Sequence, residues 1–329
     1  MQIFPLALFL VMLELTTGSF LSLFLLDIRG DTSRGFVVFQ GVLYFVFAVI
    51  TLLAMRAVTP AHPSDYGLDS AWIRFQGPLL VAMTLLMIPW NIFLWRDRQS
   101  GAAAKRKSAD AVGPRPRVRV ARFAIGAVIA LLGIAALFVE GMGYRLLADT
   151  HFGGALVVLA VLCGGVALGG VMTAMLLGHW YLNTPTASGK PLEFMTALLL
   201  AALALEFIFT LGIGQSTAHA HVATTPVAPG TTIQTSGGHL IISTATPSGQ
   251  SAASAVEQQR VAPLGAGAMQ WLEYILGFGA PLVLGAVALY LTRGRSFQSA
   301  TGMLYLCVAF IFIGEILGRG LLLLPVLFS

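Results

Sequence analysis

The sequence predicts an all-α integral membrane protein, an eight-transmembrane-helix bundle with both termini extracytoplasmic. Apolar residues make up 57% of the 329 residues and charged residues only 10%, against about 45–50% and 25% in soluble domains. With a mean hydropathy of +0.84, the chain has too little polar surface to cover a water-soluble globule. The apolar residues also form runs of about 20, the length that crosses a bilayer. These observations exclude a soluble enzyme, a nucleic-acid-binding domain and a disordered scaffold.

Eight apolar stretches are long enough to span the hydrocarbon layer. Helices are favoured over a closed barrel because the runs are continuous, whereas barrel strands alternate over about ten residues. The predicted spans are Ile3–Leu26, Phe36–Met55, Gly77–Trp95, Ala121–Val139, Ala155–Leu177, Phe194–Gly214, Trp271–Leu291 and Gly302–Leu324. The first run lacks a basic segment before it and a plain cleavage site after it, so we expect a retained helix rather than a signal peptide. Residues 1–329 are therefore interpreted as one polytopic membrane domain.

The distribution of basic residues predicts the orientation, because cytoplasmic loops carry the excess of Lys and Arg. Nine of the 19 basic residues lie in the connection from Arg96 to Arg122. Placing this connection in the cytoplasm puts fourteen of the 19 inside and four outside, with both termini outward. We expect a multi-pass protein of the inner (plasma) membrane, in contact with the lipid bilayer. The net charge of +5 then reflects topology and requires no nucleic acid.

Two connections are long enough to interpret. Residues 96–120 are basic, with Ala-, Gly- and Pro-containing stretches typical of a flexible cytoplasmic surface segment. Residues 215–268 are rich in Ser, Thr, Ala, Pro and Gly and are expected outside the membrane. Within them, Thr231–Ile233 and His239–Thr244 have the pattern of a short hairpin. The alternative is a largely irregular loop, or one ordered by a neighbouring subunit.

The first and last helical pairs, 1–57 and 270–325, share a sequence pattern. Glu14 and Gly18 match Glu273 and Gly277 at an offset of 259. A second set matches at an offset of 261: Phe36, Gly41, Leu43, Tyr44 and Ala48 with Phe297, Gly302, Leu304, Tyr305 and Ala309. The pattern indicates either a parallel duplication or a coincidence between two apolar segments.

Ionisable residues inside the predicted helices are the main functional candidates. A charge at the bilayer centre costs about 2.5–3.5 kcal/mol or more, so such residues usually face the bundle interior and mark a function. Glu14, Glu206 and Glu315 fall near the middle of their spans, and Arg319 lies one turn beyond Glu315. Two further carboxyl groups, Glu140 and Glu273, lie near the outer ends of theirs. Together they predict a line of carboxyl groups from the outer surface to the midplane.

Two interpretations of these carboxyl groups remain open. Glu315 and Arg319 have the favourable i, i+4 order and are expected to neutralise each other as a structural pair, unless Arg319 is shared with Glu14 or Glu206. Those two have no basic partner on their own helices. A buried carboxyl without a partner holds its proton, because desolvation disfavours the charged form. Such groups either relay protons or contact a ligand, or else hydrogen-bond neighbouring helices as polar glue.

A polar and aromatic cluster lies at the cytoplasmic end of the fifth span. His179, Trp180 and Tyr181 are consecutive, and Asn91 reaches the same depth from the third span. The cluster is either an aromatic belt at the headgroup level or a pocket for a quinone-like ring or an anionic solute. Haem is disfavoured, because His151 lies 28 residues from His179, about 42 Å along one helix.

No metal site is predicted. The loop histidines His219, His221 and His239 have ligand chemistry suited to Cu or Zn, but histidines in a polar loop are more often unliganded. Cys163 and Cys307 lie inside apolar runs, which is typical of packed free thiols rather than a disulfide or a metal site.

Small residues and prolines predict how the helices pack. Gly165 with Gly169, and Gly314 with Gly318, are GxxxG steps that let backbones approach closely. The second step lies on the helix of Glu315 and Arg319, so we expect its charged face against a neighbouring helix or another subunit. Kinks are expected at Pro89 and Pro281.

These features lead to three functional hypotheses. The first is a membrane subunit of a redox or energy-conserving complex that contacts quinone or supports proton movement, with other subunits as partners. In helix number and outward termini the chain resembles membrane subunits of the polysulfide-reductase type, and the resemblance implies electron exchange with quinol. The second hypothesis is a proton-coupled transporter of a small solute, and the third is a structural assembly subunit.

Overall fold

The computed structural model describes residues 3–58, 68–106, 116–148, 150–184, 188–218, 231–236, 239–244 and 266–323. Eight helical segments within them are long and apolar enough to cross a membrane, which confirms the predicted spans and the helical bundle. The helices are α1 (Ile3–Arg29), α2 (Arg34–Val58), α3 (Ser70–Arg106), α4 (Pro116–Tyr144), α5 (His151–Asn183), α6 (Lys190–Ala218), α7 (Ala266–Leu272), α8 (Ala280–Arg293) and α9 (Phe297–Leu323). A π-helical segment, Glu273–Gly279, joins α7 to α8, and the three together form the seventh span.

Local signals set several helix ends. The Thr150 hydroxyl accepts a 2.9 Å hydrogen bond from the Gly153 N–H and so caps α5. Before α3, the Asp69 carboxylate accepts from the Ala71 N–H at 3.1 Å. Such oxygens satisfy backbone donors that have no partner inside the helix. At the end of α1, Gly30 has a φ of 72° and donates its N–H to the Leu26 carbonyl, a left-handed cap for which glycine is suited.

The basic connection is shorter than the sequence predicts. The backbone of α3 continues to Arg106 and α4 begins at Pro116, so both ends of the segment 96–120 are helical, and residues 107–115 lie outside the described part. Ala102, Ala103 and Ala104 favour the helical extension, because alanine has the highest helix propensity. Proline suits the first position of a helix, where its missing N–H costs nothing. α3 itself runs through Pro78 and Pro89.

The connection between α6 and α7 contains a pair of strands. β1 (Thr231–Ser236) and β2 (His239–Thr244) pair antiparallel, with Thr231 opposite Thr244 and Ser236 opposite His239. The hairpin is therefore present and includes three more residues of the first strand than the sequence pattern predicts. His219 and His221 lie outside the described residues, as does the side chain of His239.

The centre of the bundle is formed by α1 and α5, the two most buried spans. α5 packs against α1, α4, α6 and α9. Glycines bring α1 and α5 into backbone contact: a Cβ on Gly18 would lie 1.6 Å from the Gly165 carbonyl oxygen, and one on Gly169 would lie 1.9 Å from the Gly18 carbonyl carbon. The predicted GxxxG step on the fifth span thus packs against Gly18.

Buried hydroxyl groups join α2 to these two helices. Thr16 of α1 and Thr51 of α2 are 2.8 Å apart through their hydroxyl oxygens. Tyr44 of α2 and Thr173 of α5 form a second hydroxyl pair at 2.8 Å. Hydrogen bonds of this kind are the usual polar links between transmembrane helices.

The π-helical segment lies where a kink at Pro281 is expected. The Ala280 N–H bonds to the Ile275 carbonyl, five residues back. Proline at 281 cannot donate to the carbonyl four residues earlier, and the wider π register, which begins at Glu273, ends just before it at Gly279. This segment packs on the second GxxxG step, since a Cβ on Gly314 would lie 2.1 Å from the Gly277 Cα. The neighbour of that step is therefore within the same chain.

One end of the bundle, here called the basic end, holds the adjoining ends of α1 and α2, of α3 and α4, of α5 and α6, and of α8 and α9. Contacts across it link α2 and α9 to α5: the ring centroids of Phe36 and Trp180 are 5.9 Å apart, and those of Phe297 and Tyr181 are 5.3 Å apart. The two phenylalanines that the proposed repeat equates thus contact adjacent residues of α5. The repeat itself remains a prediction.

Candidate functional site: a buried carboxyl cluster

Arg319 of α9 lies at the centre of a buried ionic cluster. Its Nε donates a 2.8 Å hydrogen bond to Oε1 of Glu14 from α1. Its Nη2 lies 3.3 Å from Oε1 of Glu206 from α6, and 3.1 Å from Oε2 of Glu315 on its own helix. Arg319 is only 7% exposed and Glu14 is fully buried. One guanidinium therefore binds carboxyl groups from three helices.

Glu140 and Glu273 complete the cluster. Glu140 of α4 is 1% exposed and lies within electrostatic range of Glu14, Glu315 and Arg319. Glu273, the first residue of the π-helical segment, is also buried and lies within range of Glu315 and Arg319. The name carboxyl cluster is used below for these six residues: Glu14, Glu140, Glu206, Glu273, Glu315 and Arg319.

Glycines make room for the cluster. A Cβ on Gly164 of α5 would lie 2.6 Å from Glu206 Oε1 and 2.7 Å from Arg319 Nη2. On α9, a Cβ on Gly318 would lie 2.5 Å from Glu273 Oε1. Real Cβ atoms do not approach other atoms this closely, so a larger residue at either position would displace these charged groups from the arrangement seen here.

The charges in the cluster do not balance. Five carboxyl groups face one guanidinium, which remains protonated in proteins. Both oxygens of Glu140, and Oε2 of Glu14 and of Glu206, have no hydrogen-bond partner among the described residues. An isolated buried carboxylate is costly in a low dielectric, and such a group binds a proton instead. The cluster is therefore chemically suited to hold several protons close to one fixed positive charge.

The six proton-relay candidates from the sequence lie together in the structure. The i, i+4 pair of Glu315 and Arg319 exists, and Arg319 is also shared with Glu14 and Glu206. The two expectations for Arg319 thus hold at once. The choice between relay and polar glue is a question of function, which these contacts leave open.

The four quinone candidates have separate neighbours. The His179 Nδ1 lies 3.4 Å from the Tyr305 hydroxyl on an exposed face, and Trp180 packs on Phe36. Asn91 donates to the backbone carbonyls of Gly41 and Met87 at 3.2 and 2.9 Å, the usual bonding of a polar side chain inside a helix bundle.

An open pocket of about 370 Å³ lies at the basic end beside the α8–α9 turn. Its lining residues are Tyr181, Leu182, Arg295, Ser296, Phe297, Gln298 and Ser299. Tyr181 alone among the four quinone candidates contributes to it. Quinone binding at these four residues stays a prediction.

A second ionic cluster at the basic end was missed by the sequence analysis. Arg122 of α4 is fully buried, hydrogen-bonds Asp97 of α3 and lies 3.2 Å from an Asp27 oxygen of α1. Arg34 of α2 donates to Asp27 at 2.7 Å and lies 3.8 Å from Asp97. Two arginines and two aspartates balance in charge, so this four-residue ion network is suited to joining α1–α4 rather than to holding protons.

A signal for the network was present in the sequence. Asp27 and Asp97 lie at the basic ends of the first and third spans, where most charged residues are basic. Arg34 and Arg122 were counted only as indicators of topology. Acidic residues among such a basic excess indicate partners for specific arginines.

Comparison with protein-family models, with curated proteins and with solved structures gave no match for this chain. Among the described residues, no group of three or more His, Cys, Asp or Glu side chains is arranged to hold a metal ion. The function is therefore inferred from the geometry of the carboxyl cluster.

Proposed function

We propose that this chain is an integral membrane subunit of an energy-conserving complex and that it moves protons through its carboxyl cluster. The observation that carries this proposal is the excess of buried acid: three carboxyl groups bind one arginine inside the bundle, and two more, Glu140 and Glu273, are buried within its electrostatic range. Burying so many ionisable groups costs stability, which favours a functional role over a purely structural one. Thr or Ser could supply hydrogen bonds between helices at a lower cost in stability, as Thr16 and Thr51 do.

Protons fit this cluster better than a larger cation does. Arg319 already supplies the positive charge on Glu14, Glu206 and Glu315, and its field repels a second ion. A proton instead binds covalently to one carboxyl oxygen and needs no cavity. A proton can then pass between neighbouring carboxyl groups while the total charge of the cluster stays constant.

The packing around the cluster supports a relay in a fixed scaffold. Gly164, whose missing Cβ leaves room for Glu206 and Arg319, is on the helix whose Gly165 touches Gly18 of α1. Glu14 is therefore carried on a helix in backbone contact with α5. Such close contacts leave little freedom for α1 and α5 to move apart, which favours a subunit of a larger complex over an alternating-access carrier.

A proton-coupled transporter of a small solute is the second candidate, and the π-helical segment favours it. π-Helical turns are often found at functional sites, and this one begins at Glu273 and ends just before Pro281. A change between π and α register would move Glu273 relative to Gly318 and Arg319. Gentle solubilisation discriminates the two candidates: a stable association with redox proteins supports the subunit, and a lone chain that takes up a solute supports the transporter.

The proposal is tested by proton flux in proteoliposomes. Glu14→Gln and Glu206→Gln are each expected to lower the flux by about 10²-fold or more, the usual worth of a positioned acid–base group. Glu193→Gln is the control, because Glu193 lies in the first turn of α6 at the basic end and outside the cluster. Wild-type flux in both cluster variants, with normal folding, would contradict proton transfer through the cluster.

We further propose that the basic end faces the cytoplasm of the cell whose inner (plasma) membrane holds the protein, with both termini outside. The support comes from the sequence, in which fourteen of the 19 basic residues fall in or beside the connections predicted for that side. A cysteine at Ser188, which is exposed between α5 and α6, is expected to resist an impermeant thiol reagent in intact cells. One at His151, exposed at the other end, is expected to react, and the reverse result would invert the orientation.

A further inference from the structure

Glu140 differs from the carboxyl groups that bind Arg319. The Nε and Nη2 groups of Arg319 are bound by Glu14, Glu206 and Glu315. Both oxygens of Glu140 are buried and have no hydrogen-bond partner in the described part of the chain. Glu140 is thus a fully enclosed acid that belongs to the cluster electrostatically but holds none of its contacts together.

One positive charge, that of Arg319, lies within electrostatic range of Glu140 in the described part of the chain. The ionisable groups that face it come from α1, α9 and its own helix, and they are Glu14, Glu315, Arg319 and Tyr144. Next to it on α4, Gly141 meets Val158 of α5 and Gly143 meets Ile73 of α3. Since neither oxygen of Glu140 has a hydrogen-bond donor in the described part of the chain to stabilise a carboxylate, the neutral acid is the resting form of Glu140.

We propose that Glu140 is the carboxyl group that takes up and releases the transported proton, whereas Glu14, Glu206 and Glu315 hold Arg319 in place. This assignment rests on the proposed function and deepens it. Glu140 can change charge without breaking any hydrogen bond seen in the structure, while Arg319 and its electric field remain where they are.

The transfer step is balanced within the cluster. The O–H bond of Glu140 breaks and an O–H bond forms on Oε2 of Glu14, which also has no partner. The negative charge moves from Glu14 to Glu140, both within range of Arg319. No oxidant, reductant or metal is needed. Tyr144, one turn further along α4, is buried and is the last residue of that helix, so it is placed to separate Glu140 from the membrane surface.

The test compares Glu140→Gln with Glu140→Asp and the Glu193→Gln control, all in the full-length protein. Glutamine has nearly the shape and charge of the protonated acid, so we expect normal folding and a loss of proton flux of about 10²-fold or more. Aspartate keeps an exchangeable proton and is expected to retain part of the flux. Difference infrared spectroscopy on the same samples should show a protonated-carboxyl band in the wild type that is missing in Glu140→Gln.

Several outcomes would overturn the assignment. Wild-type flux in a folded Glu140→Gln protein would do so, as would an unchanged protonated-carboxyl band. Failure of Glu140→Gln to fold would also contradict it, because the assignment gives Glu140 no structural partner. A wild-type protein without any proton flux would instead overturn the proposed function, and the infrared band would then still decide whether Glu140 is the protonated group.

Discussion

Replacing Arg319 by glutamine tests the charge balance of the carboxyl cluster. The change removes the only cation that contacts Glu14, Glu206 and Glu315 among the described residues, at 2.8, 3.3 and 3.1 Å respectively. One guanidinium neutralises one carboxylate, so the folded variant must bind one additional proton. At pH 7 this costs about 3.7 kcal/mol, because glutamate ionises near pH 4.3 and each pH unit is worth about 1.36 kcal/mol. The loss of one partner from a buried ion pair costs a similar 3–5 kcal/mol.

The cost of Arg319→Gln should depend on pH. In the variant one more carboxyl group is protonated in the folded state than in the wild type, while in the unfolded state that group ionises above about pH 4.3. Stability falls with rising pH wherever the folded state binds more protons. The difference between variant and wild type should therefore grow by about 1.36 kcal/mol per pH unit above this range and nearly vanish below it.

The assay is reversible unfolding in detergent between pH 5 and 8. This range covers about three pH units over which the stability difference is expected to change. Arg74→Gln is the matched control, because Arg74 is exposed and its guanidinium lies over the ring of its neighbour Phe75. A substitution at such an exposed site is expected to change the free energy of unfolding by less than about 0.5 kcal/mol. A second check is the double variant Glu14→Gln with Arg319→Gln, which should recover part of the loss. A loss of unfolding free energy in Arg319→Gln that does not change with pH would refute the charge balance described for the cluster.

Two further predictions concern packing and the four-residue ion network. Arg122→Leu should destabilise the protein by about 3–5 kcal/mol in the same unfolding assay, because it leaves buried aspartates without their cationic partner. Arg34→Leu, at a side chain 39% exposed, should lower the free energy of unfolding by about 1 kcal/mol or less. Equal losses in the two variants would contradict the difference in burial. Gly18→Val should disrupt the α1–α5 contact and abolish a folded, monodisperse protein on gel filtration, since its Cβ would lie 1.6 Å from the Gly165 carbonyl oxygen. Gly302→Ala is the control, with no atom within 4 Å of its Cβ, and a folded Gly18→Val would refute the contact.

The membrane spans and the members of the carboxyl cluster could be predicted from sequence, because a large free energy change accompanies the insertion of an apolar helix into the bilayer and the burial of a charged side chain. Apolar length decides whether a helix crosses the bilayer. The cost of burying charge singles out Glu14, Glu206 and Glu315 without knowledge of any contact. The sequence does not define the sharing of Arg319, because helix rotation and neighbours are set by side-chain packing across the whole bundle.

The four-residue ion network was missed because charges near helix ends cost little to place. Arg122 is close enough to the basic end to be interpreted as a topology signal, and only the fold shows that α1 and α3 enclose it completely. The same limit applies to Pro281. Its missing N–H predicts a disturbance of the helix, but several backbone arrangements can accommodate a proline. The local sequence does not select the one that is present, the π register from Glu273 to Gly279.

The backbone contact of α1 with α5 has an entropic consequence. Gly18, Gly165 and Gly169 carry no rotatable side-chain bonds, so no rotamer freedom is lost when the two helices dock. A seam of leucine or methionine would lose up to about 1–2 kcal/mol per side chain on ordering. Main-chain contacts at this seam hold α1 and α5 at one relative height, and Glu14 lies one turn from Gly18 along α1.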